Sequence, residues 1–189
     1  MKNCKVIVVH GMRGSSKTDF FPALAEEFRK KNIDFVIPDM PGGILNRFPW
    51  APFWLRKIHE EVSATKKPVI FVGFSLGTRA ILLYLEKYQI HVKGLVLVAA
   101  PPNMRLAALA KQGRVASFFM HKINPENILP LVDTCLQIHS KDDPKVSYKW
   151  GLHFSKEFKT KLTTFKDRGH FSKAEHASDI VSILEKELM

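Results

Sequence analysis

Cysteine is nearly missing from this chain: Cys4 and Cys135 are the only two among 189 residues. They lie far apart and each adjoins an apolar run, which excludes a disulfide-stapled scaffold and points to two buried, reduced thiols. No Cys-x-x-Cys or His-Glu-x-x-His segment occurs, so none of the eight histidines has metal-ligand spacing and no metal or cofactor is expected. No apolar run approaches the roughly 20 residues that span a bilayer. The first apolar stretch ends at His10-Gly11, too short for the hydrophobic region of a signal peptide. The expectation is a cytoplasmic protein without a membrane span. Repeats, low-complexity tracts and internal linkers are missing too, leaving one domain over residues 1–189. Acidic residues are the scarce charge, 18 Asp and Glu against 29 Lys and Arg, for a net +11. The lysines are dispersed, and Lys30-Lys31 and Lys66-Lys67 fall at apparent helix ends, where cations favour the dipole. No nucleic-acid partner is expected despite the charge.

What the chain has is an alternation of two periods. Apolar runs at residues 5–9, 34–37, 68–72, 94–99, 134–139 and 162–165 read as strands. Between them lie segments with helical spacing: from Thr18 or Asp19 to about Lys31, 50–64, 76–88, 147–159 and 173–188. Ser172-Lys173-Ala174-Glu175 matches a capping box for the last helix. Residues 102–133 are the least regular part, with short helical pieces at 104–111 and 125–131 around the apolar Phe118-Phe119-Met120. The strands are continuously apolar rather than alternating, the pattern of a parallel sheet covered on both faces. The fold class is therefore α/β, a three-layer α/β/α sandwich.

One stretch between strand and helix carries chemistry, Gly73-Phe74-Ser75-Leu76-Gly77. A strand entering a helix through Gly-x-Ser-x-Gly is a nucleophile elbow, which holds the serine hydroxyl clear of the sheet beside the first N–H groups of the helix. A serine needs an imidazole to take its proton and a carboxylate to orient that imidazole. In a parallel sheet such partners sit beyond the carboxyl ends of the strands. Those positions hold His10, Asp39, Ser75, the neighbours Asp142 and Asp143, and His170. Ser75, one of the two aspartates and His170 come in the chain order Ser, Asp, His of the α/β-hydrolases.

The segments Leu136-Gln137-Ile138-His139-Ser140-Lys141-Asp142-Asp143-Pro144 and Asp167-Arg168-Gly169-His170-Phe171 resemble the acid and histidine blocks of small α/β-hydrolases without a lid. The chain is most similar to the family of the retinoblastoma-binding serine hydrolase and its bacterial relatives, along nearly its whole length. That resemblance implies a six-stranded sheet in the order 2-1-3-4-5-6 with no separate cap domain, and a cofactor-free serine hydrolase acting on a small acyl substrate. It carries the nucleophile onto Ser75, the acid onto Asp143 and the base onto His170. Pro144 agrees, since it biases Asp143 toward an extended backbone that projects the carboxylate and leaves Asp142 to cap the loop. This chain departs from the family at Asp19-Phe20, where His-Trp is common, and at Phe74 and Leu76 inside the elbow. It has no Leu-x-Cys-x-Glu, so binding to a retinoblastoma-type protein is not implied.

The oxyanion donors expected are the backbone N–H groups of Leu76 and, from the first loop, Met12. His10 reads as a ring bracing that loop rather than as the base. His10, Phe74, Phe118 and Phe119 are candidates for the substrate pocket, the two later phenylalanines because they fall in the irregular excursion. The remaining histidines, His139 among them, read as structural. Two rival readings are weaker. Gly11-Met12-Arg13-Gly14-Ser15-Ser16-Lys17-Thr18 misses a phosphate-binding P-loop by one residue, Ser16 standing where the second glycine belongs. A non-catalytic interaction module on the same scaffold is the other, against which stand three filled catalytic positions.

Overall fold

The computed structural model describes residues 3–42, 49–105 and 107–188. Strands and helices alternate: β1 (Lys5–Val9), α1 (Phe21–Lys30), β2 (Phe35–Val36), α2 (Ala51–Ser63), β3 (Val69–Phe74), α3 (Leu76–Tyr88) and β4 (Gly94–Val98). After an excursion of 3₁₀ turns come β5 (Cys135–Ser140), α4 (Tyr148–Glu157), β6 (Lys161–Phe165) and α5 (His176–Leu188). The strands form one sheet in the order β2-β1-β3-β4-β5-β6, every pair parallel. This is the α/β-hydrolase sheet order that the sequence resemblance implies.

Two apolar layers explain the continuously apolar strands. Alternate residues point to opposite faces of a strand. Val6 and Val8 of β1, Ile70 and Val72 of β3 and Val96 and Val98 of β4 pack with Phe21, Leu24 and Phe28 of α1 and Ile180 and Leu184 of α5. Their neighbours Ile7, Val9, Phe71, Leu95 and Leu97 face the other way, onto α2, α3 and Phe154 of α4. Every residue of β3 and β4 is buried as a result. The edge strands β2 and β6 are only half-buried.

Three local expectations are corrected. Neither Thr18 nor Asp19 caps α1. Thr18 Oγ1 accepts from Ser15 N at 3.0 Å within a turn, Asp19 takes a left-handed φ of 51°, and the helix starts only at Phe21. That delay removes the helix end a P-loop would need directly after Lys17-Thr18. Secondly, α5 begins at His176, because Lys173 O and Ala174 O are used in turns that precede it. Thirdly, the excursion holds a long 3₁₀ segment at Ala107–Phe119 instead of a short helix ending at Lys111. The first part of the expected helix includes Leu106, outside the described residues, as are 43–48 of the loop after β2. Among the described residues no helix is long and apolar enough to cross a membrane.

Candidate active site

β3 ends at Phe74 and α3 begins at Leu76, so the chain reverses within Ser75. The serine sits at φ 50° and ψ −119°, a conformation costly for any residue with a Cβ. Backbone contacts hold it there: Ser75 N donates to Val98 O of β4 at 2.9 Å, and Ser75 O accepts from Thr78 N at 3.0 Å and Thr78 Oγ1 at 2.7 Å. The two flanking glycines answer to close approach. A Cβ on Gly73 would stand 2.7 Å from Thr78 Cα, and one on Gly77 only 2.1 Å from Val9 O. The elbow is pressed against the end of β1, and a Cβ on Gly11 would lie 3.1 Å from Ser75 Cβ. The loop after β1 therefore wraps the serine.

His10 fixes that loop from beneath. Its ring is fully buried, with Nε2 accepting from Met40 N at 2.9 Å and Nδ1 donating to Gly11 O at 2.8 Å. The Met40 N–H dictates a neutral ring protonated at Nδ1. Burial lowers the His10 pKa, and edge contacts with Trp54 at 5.4 Å and Phe21 at 6.4 Å leave the ring no opening to the cleft. Asp39, the other polar residue beyond an early strand, caps the same loop by accepting from Ser16 N at 2.6 Å.

On the far side of Ser75 stand the acid and the imidazole. His170 Nδ1 lies 2.8 Å from Asp143 Oδ2 and 3.0 Å from Oδ1. Asp143 Oδ1 also accepts from Lys145 N at 2.8 Å and Val146 N at 2.9 Å. Burial works to raise the Asp143 pKa, yet the bond from His170 and the two amides hold it below the ordinary carboxylate value. Asp142 faces elsewhere. Its Oδ1 accepts from Gly169 N at 2.9 Å and from Ser140 Oγ, so it ties down the turn that presents His170. Gly169 and Phe171 both have positive φ, 51° and 54°, so the backbone bulges on each side of His170.

Ser75 and His170 line one cleft of about 440 Å³ with Met12, Arg13, Phe74 and Lys145. The ring of His170 lies against Phe74, centroids 5.1 Å apart. Leu76 opens α3, so its N–H has no intrahelical acceptor, and Met12 belongs to the loop facing it across the serine.

Of the four candidate pocket residues, Phe74 alone reaches the cleft. His10 is enclosed as described. Phe118 and Phe119 belong to the core, 0% and 6% exposed. Phe118 packs edge-on against Trp54 at 5.2 Å, and the Arg79 guanidinium covers Phe119 at 5.4 Å. Arg79, itself buried in α3, binds Phe118 O at 2.7 Å, Asn103 Oδ1 at 2.7 Å and His121 O. The excursion is thereby drawn down onto α3 instead of over Ser75.

Sequence reasoning missed two residues here. Lys145 is one dispersed lysine among many in the sequence, and its place directly after Asp143-Pro144 is the available signal. His139 reads as structural in the sequence. It is fully buried behind Asp143, with Nε2 donating to Val146 O at 2.9 Å and lying 3.7 Å from Asp143 Oδ2, while Nδ1 has no partner among the described residues. Burial lowers its pKa and keeps the ring neutral. Its signal was position, the last strand turn before the acid.

Known proteins share this fold. YdeN of Bacillus subtilis (strain 168) is 24% identical over 169 residues, 88% of this chain and 85% of its own length. The serine hydrolase RBBP9 of Rattus norvegicus is 28% identical over 127 residues, 67% of this chain and 62% of its own. Among solved structures, the YdeN gene product from B. subtilis superposes with a TM-score of 0.81 at 22% identity, covering 97% of this chain and 99% of that one. Est1E from Butyrivibrio proteoclasticus, with ferulic acid bound, gives 0.77 at 18% identity over 98% and 88% of the two chains. The family model described as "Serine hydrolase" matches residues 6–181, and the chain belongs to that family.

Proposed function

We propose that this protein hydrolyses small carboxylic esters through an acyl-enzyme formed on Ser75. The observation that carries the reading is His170, gripped from behind by the buried Asp143, opening onto the same 440 Å³ cleft as the serine of a strained elbow. Asp143 holds the His170 proton on Nδ1, which leaves Nε2 as the base. His170 takes the Ser75 proton as Oγ attacks the carbonyl carbon, and the oxyanion is received by the Leu76 and Met12 N–H groups. His170 then protonates the departing alcohol. Water repeats the sequence in reverse, with His170 as base, and releases the acid. Among the described residues no hydrogen bond joins Ser75 Oγ to the ring, and in many serine hydrolases that contact tightens only with substrate bound.

A small acyl group fits because the excursion between β4 and β5 fills the core at Phe118 and Phe119, leaving little apolar surface to cover a long chain. A cytoplasmic setting fits the two cysteines, both unpaired, with burial pushing the Cys135 thiol up to about 12. A fluorophosphonate probe should label Ser75 alone. Ser75→Ala should abolish labelling and ester turnover while leaving the melting temperature within about 2 °C, since a single hydroxyl is removed from a half-buried residue. Labelling at Ser15 or Ser16 would move the nucleophile. Short-chain esters should be favoured, and an optimum for long-chain esters would contradict the size of the cleft.

A further inference from the structure

Beside the cleft runs a second depression, about 680 Å³, on the outer side of the loop that carries Asp143. Lys145 lines both. Its backbone N–H binds Asp143 Oδ1 at 2.8 Å, so the root of this lysine is fixed to the same carboxylate that grips His170. Lys141 and Lys149 line the groove with it, and Arg13 stands in the cleft itself. None of these four cations has a carboxylate within ion-pair distance among the described residues. Elsewhere on the surface many lysines are paired, Lys5 and Lys67 with Asp34, Lys30 with Glu26, Lys93 with Asp133 and Lys161 with Glu187. The acids nearest the groove are engaged, Asp143 by His170 and Asp142 by Ser140 and Gly169. The cleft itself is lined by one carboxylate among the described residues, Asp19, on the wall formed by the loop after β1, where it accepts from Thr18 Oγ1 at 3.3 Å.

Lys149 also stands at the unfavourable end of its helix. It lies in the first turn of α4, which holds no acidic residue, where the helix dipole already places positive potential. Tyr148 and the 39%-exposed Trp150 add two aromatic surfaces to the groove, and Tyr148 is anchored through its hydroxyl to Thr164 Oγ1 at 2.8 Å. Positive charge is concentrated where local stability would not place it.

The position of the groove decides which part of a substrate it meets. His170 must hand its proton to the leaving oxygen, so the leaving group departs on the imidazole side of Ser75. That side continues into the loop of Asp143, Lys145 and Val146 and so into the groove. The opposite wall of the cleft belongs to Met12 and Thr18, from the loop after β1. We infer that the groove of Lys141, Lys145 and Lys149 is a subsite for an anionic leaving group, an alcohol carrying a carboxylate or phosphate. The inference rests on the hydrolase reading above. No step is added: the Ser75 Oγ–carbon bond forms, the carbon–oxygen bond to the anionic alcohol breaks, and that alcohol leaves with the proton from His170.

The test compares aryl acetates that share an acyl group and differ in the leaving phenol, which is neutral, carboxylate-bearing or phosphate-bearing. After correction for intrinsic leaving-group reactivity, kcat/KM should favour at least one anionic ester by about tenfold, the sum of a few exposed charge pairs. The preference should fade as ionic strength rises to roughly 1 M, where the screening length is about 3 Å. It should also collapse toward unity in Lys141→Gln/Lys145→Gln/Lys149→Gln. Equal rates for all three esters, or a preference that survives both salt and the triple substitution, overturns the subsite. Failure to turn over even the neutral ester would instead sink the hydrolase reading on which it rests.

Discussion

The buried ring of His139 stands with Nε2 3.7 Å from Asp143 Oδ2 and 2.9 Å from Val146 O. The backbone of Val146 is thus held on both sides, its carbonyl by His139 and its N–H by Asp143 Oδ1 at 2.9 Å. His139 is therefore expected to position the acid through the Val146 backbone. His139→Phe keeps a ring but removes the donor, leaving the half-buried Val146 carbonyl without its protein partner at a cost of about 1 kcal/mol. The expected result is a fall in kcat of roughly tenfold, by the same arithmetic, with KM little changed. Gly151→Ala should act on the same ring, because its Cβ would lie 2.6 Å from His139 Nδ1. Steady-state kinetics of both variants on one ester checks this, and an unchanged kcat would leave His139 a core residue only.

Asp143→Asn should cost about 10⁴ in kcat, the scale seen when the equivalent amide favours the wrong imidazole tautomer in another serine hydrolase. Asp142→Asn should cost far less, roughly tenfold or under, because its carboxylate holds the Gly169 amide and not the ring. Were Asp142→Asn the more damaging of the two, the acid would be misassigned.

Gly77→Ala and Gly94→Ala make a controlled pair. The first puts a methyl 2.1 Å from the backbone oxygen of Val9, which the sheet holds in place. The second meets Leu188 Cδ2 at 2.9 Å, a flexible side chain near the end of α5. Urea unfolding should show a loss of about 4 kcal/mol or more for Gly77→Ala, in the range reserved for severe core damage, and about 1 kcal/mol or less for Gly94→Ala. Comparable losses would mean that the elbow can relax.

Stability should fall as pH drops below the ordinary histidine value of 6.5, because burial lowers the folded pKa of both His10 and His139. Between 6.5 and those lowered values the unfolded chain binds protons that the folded chain excludes, so unfolding free energy rises with pH across that window. Both contributions are fully present above it. Asp143, whose folded pKa is also lowered, loses its contribution only further down, as pH falls from 3.8 through its folded value. Denaturant melts at pH 7.5 and 5.5 should show the first loss. His10→Asn should be less stable at the upper pH yet show a shallower decline between the two. A decline as steep as that of the unsubstituted chain would assign the protons elsewhere.

Whatever depends on near neighbours can be read from the chain's letters. Apolar runs of strand length, helical spacing between them, and Gly73 and Gly77 around Ser75 are local patterns with local causes. The candidates Ser75, Asp142 or Asp143, and His170 stood out because a parallel sheet sends the carboxyl end of every strand to one edge, while position alone did not choose between the two aspartates. Tertiary structure decided which way ambiguous residues turn. Phe118 and Phe119 could have covered the cleft or filled the core, and apolarity alone cannot choose. Arg79, distant in sequence, bonds the carbonyls of Phe118 and His121 and draws that excursion inward. Thr18 and Asp19 have the composition of a helix cap, but Asp39 and Thr18 itself bond the loop amides at Ser16 and Ser15, and the helix waits for Phe21. His10 and His139 read as structural histidines in the sequence, with no sign of their partners or tautomers. Only the folded chain brings Met40 N–H to one ring and Val146 O to the other, and those single contacts from across the fold set each ring's tautomer and role.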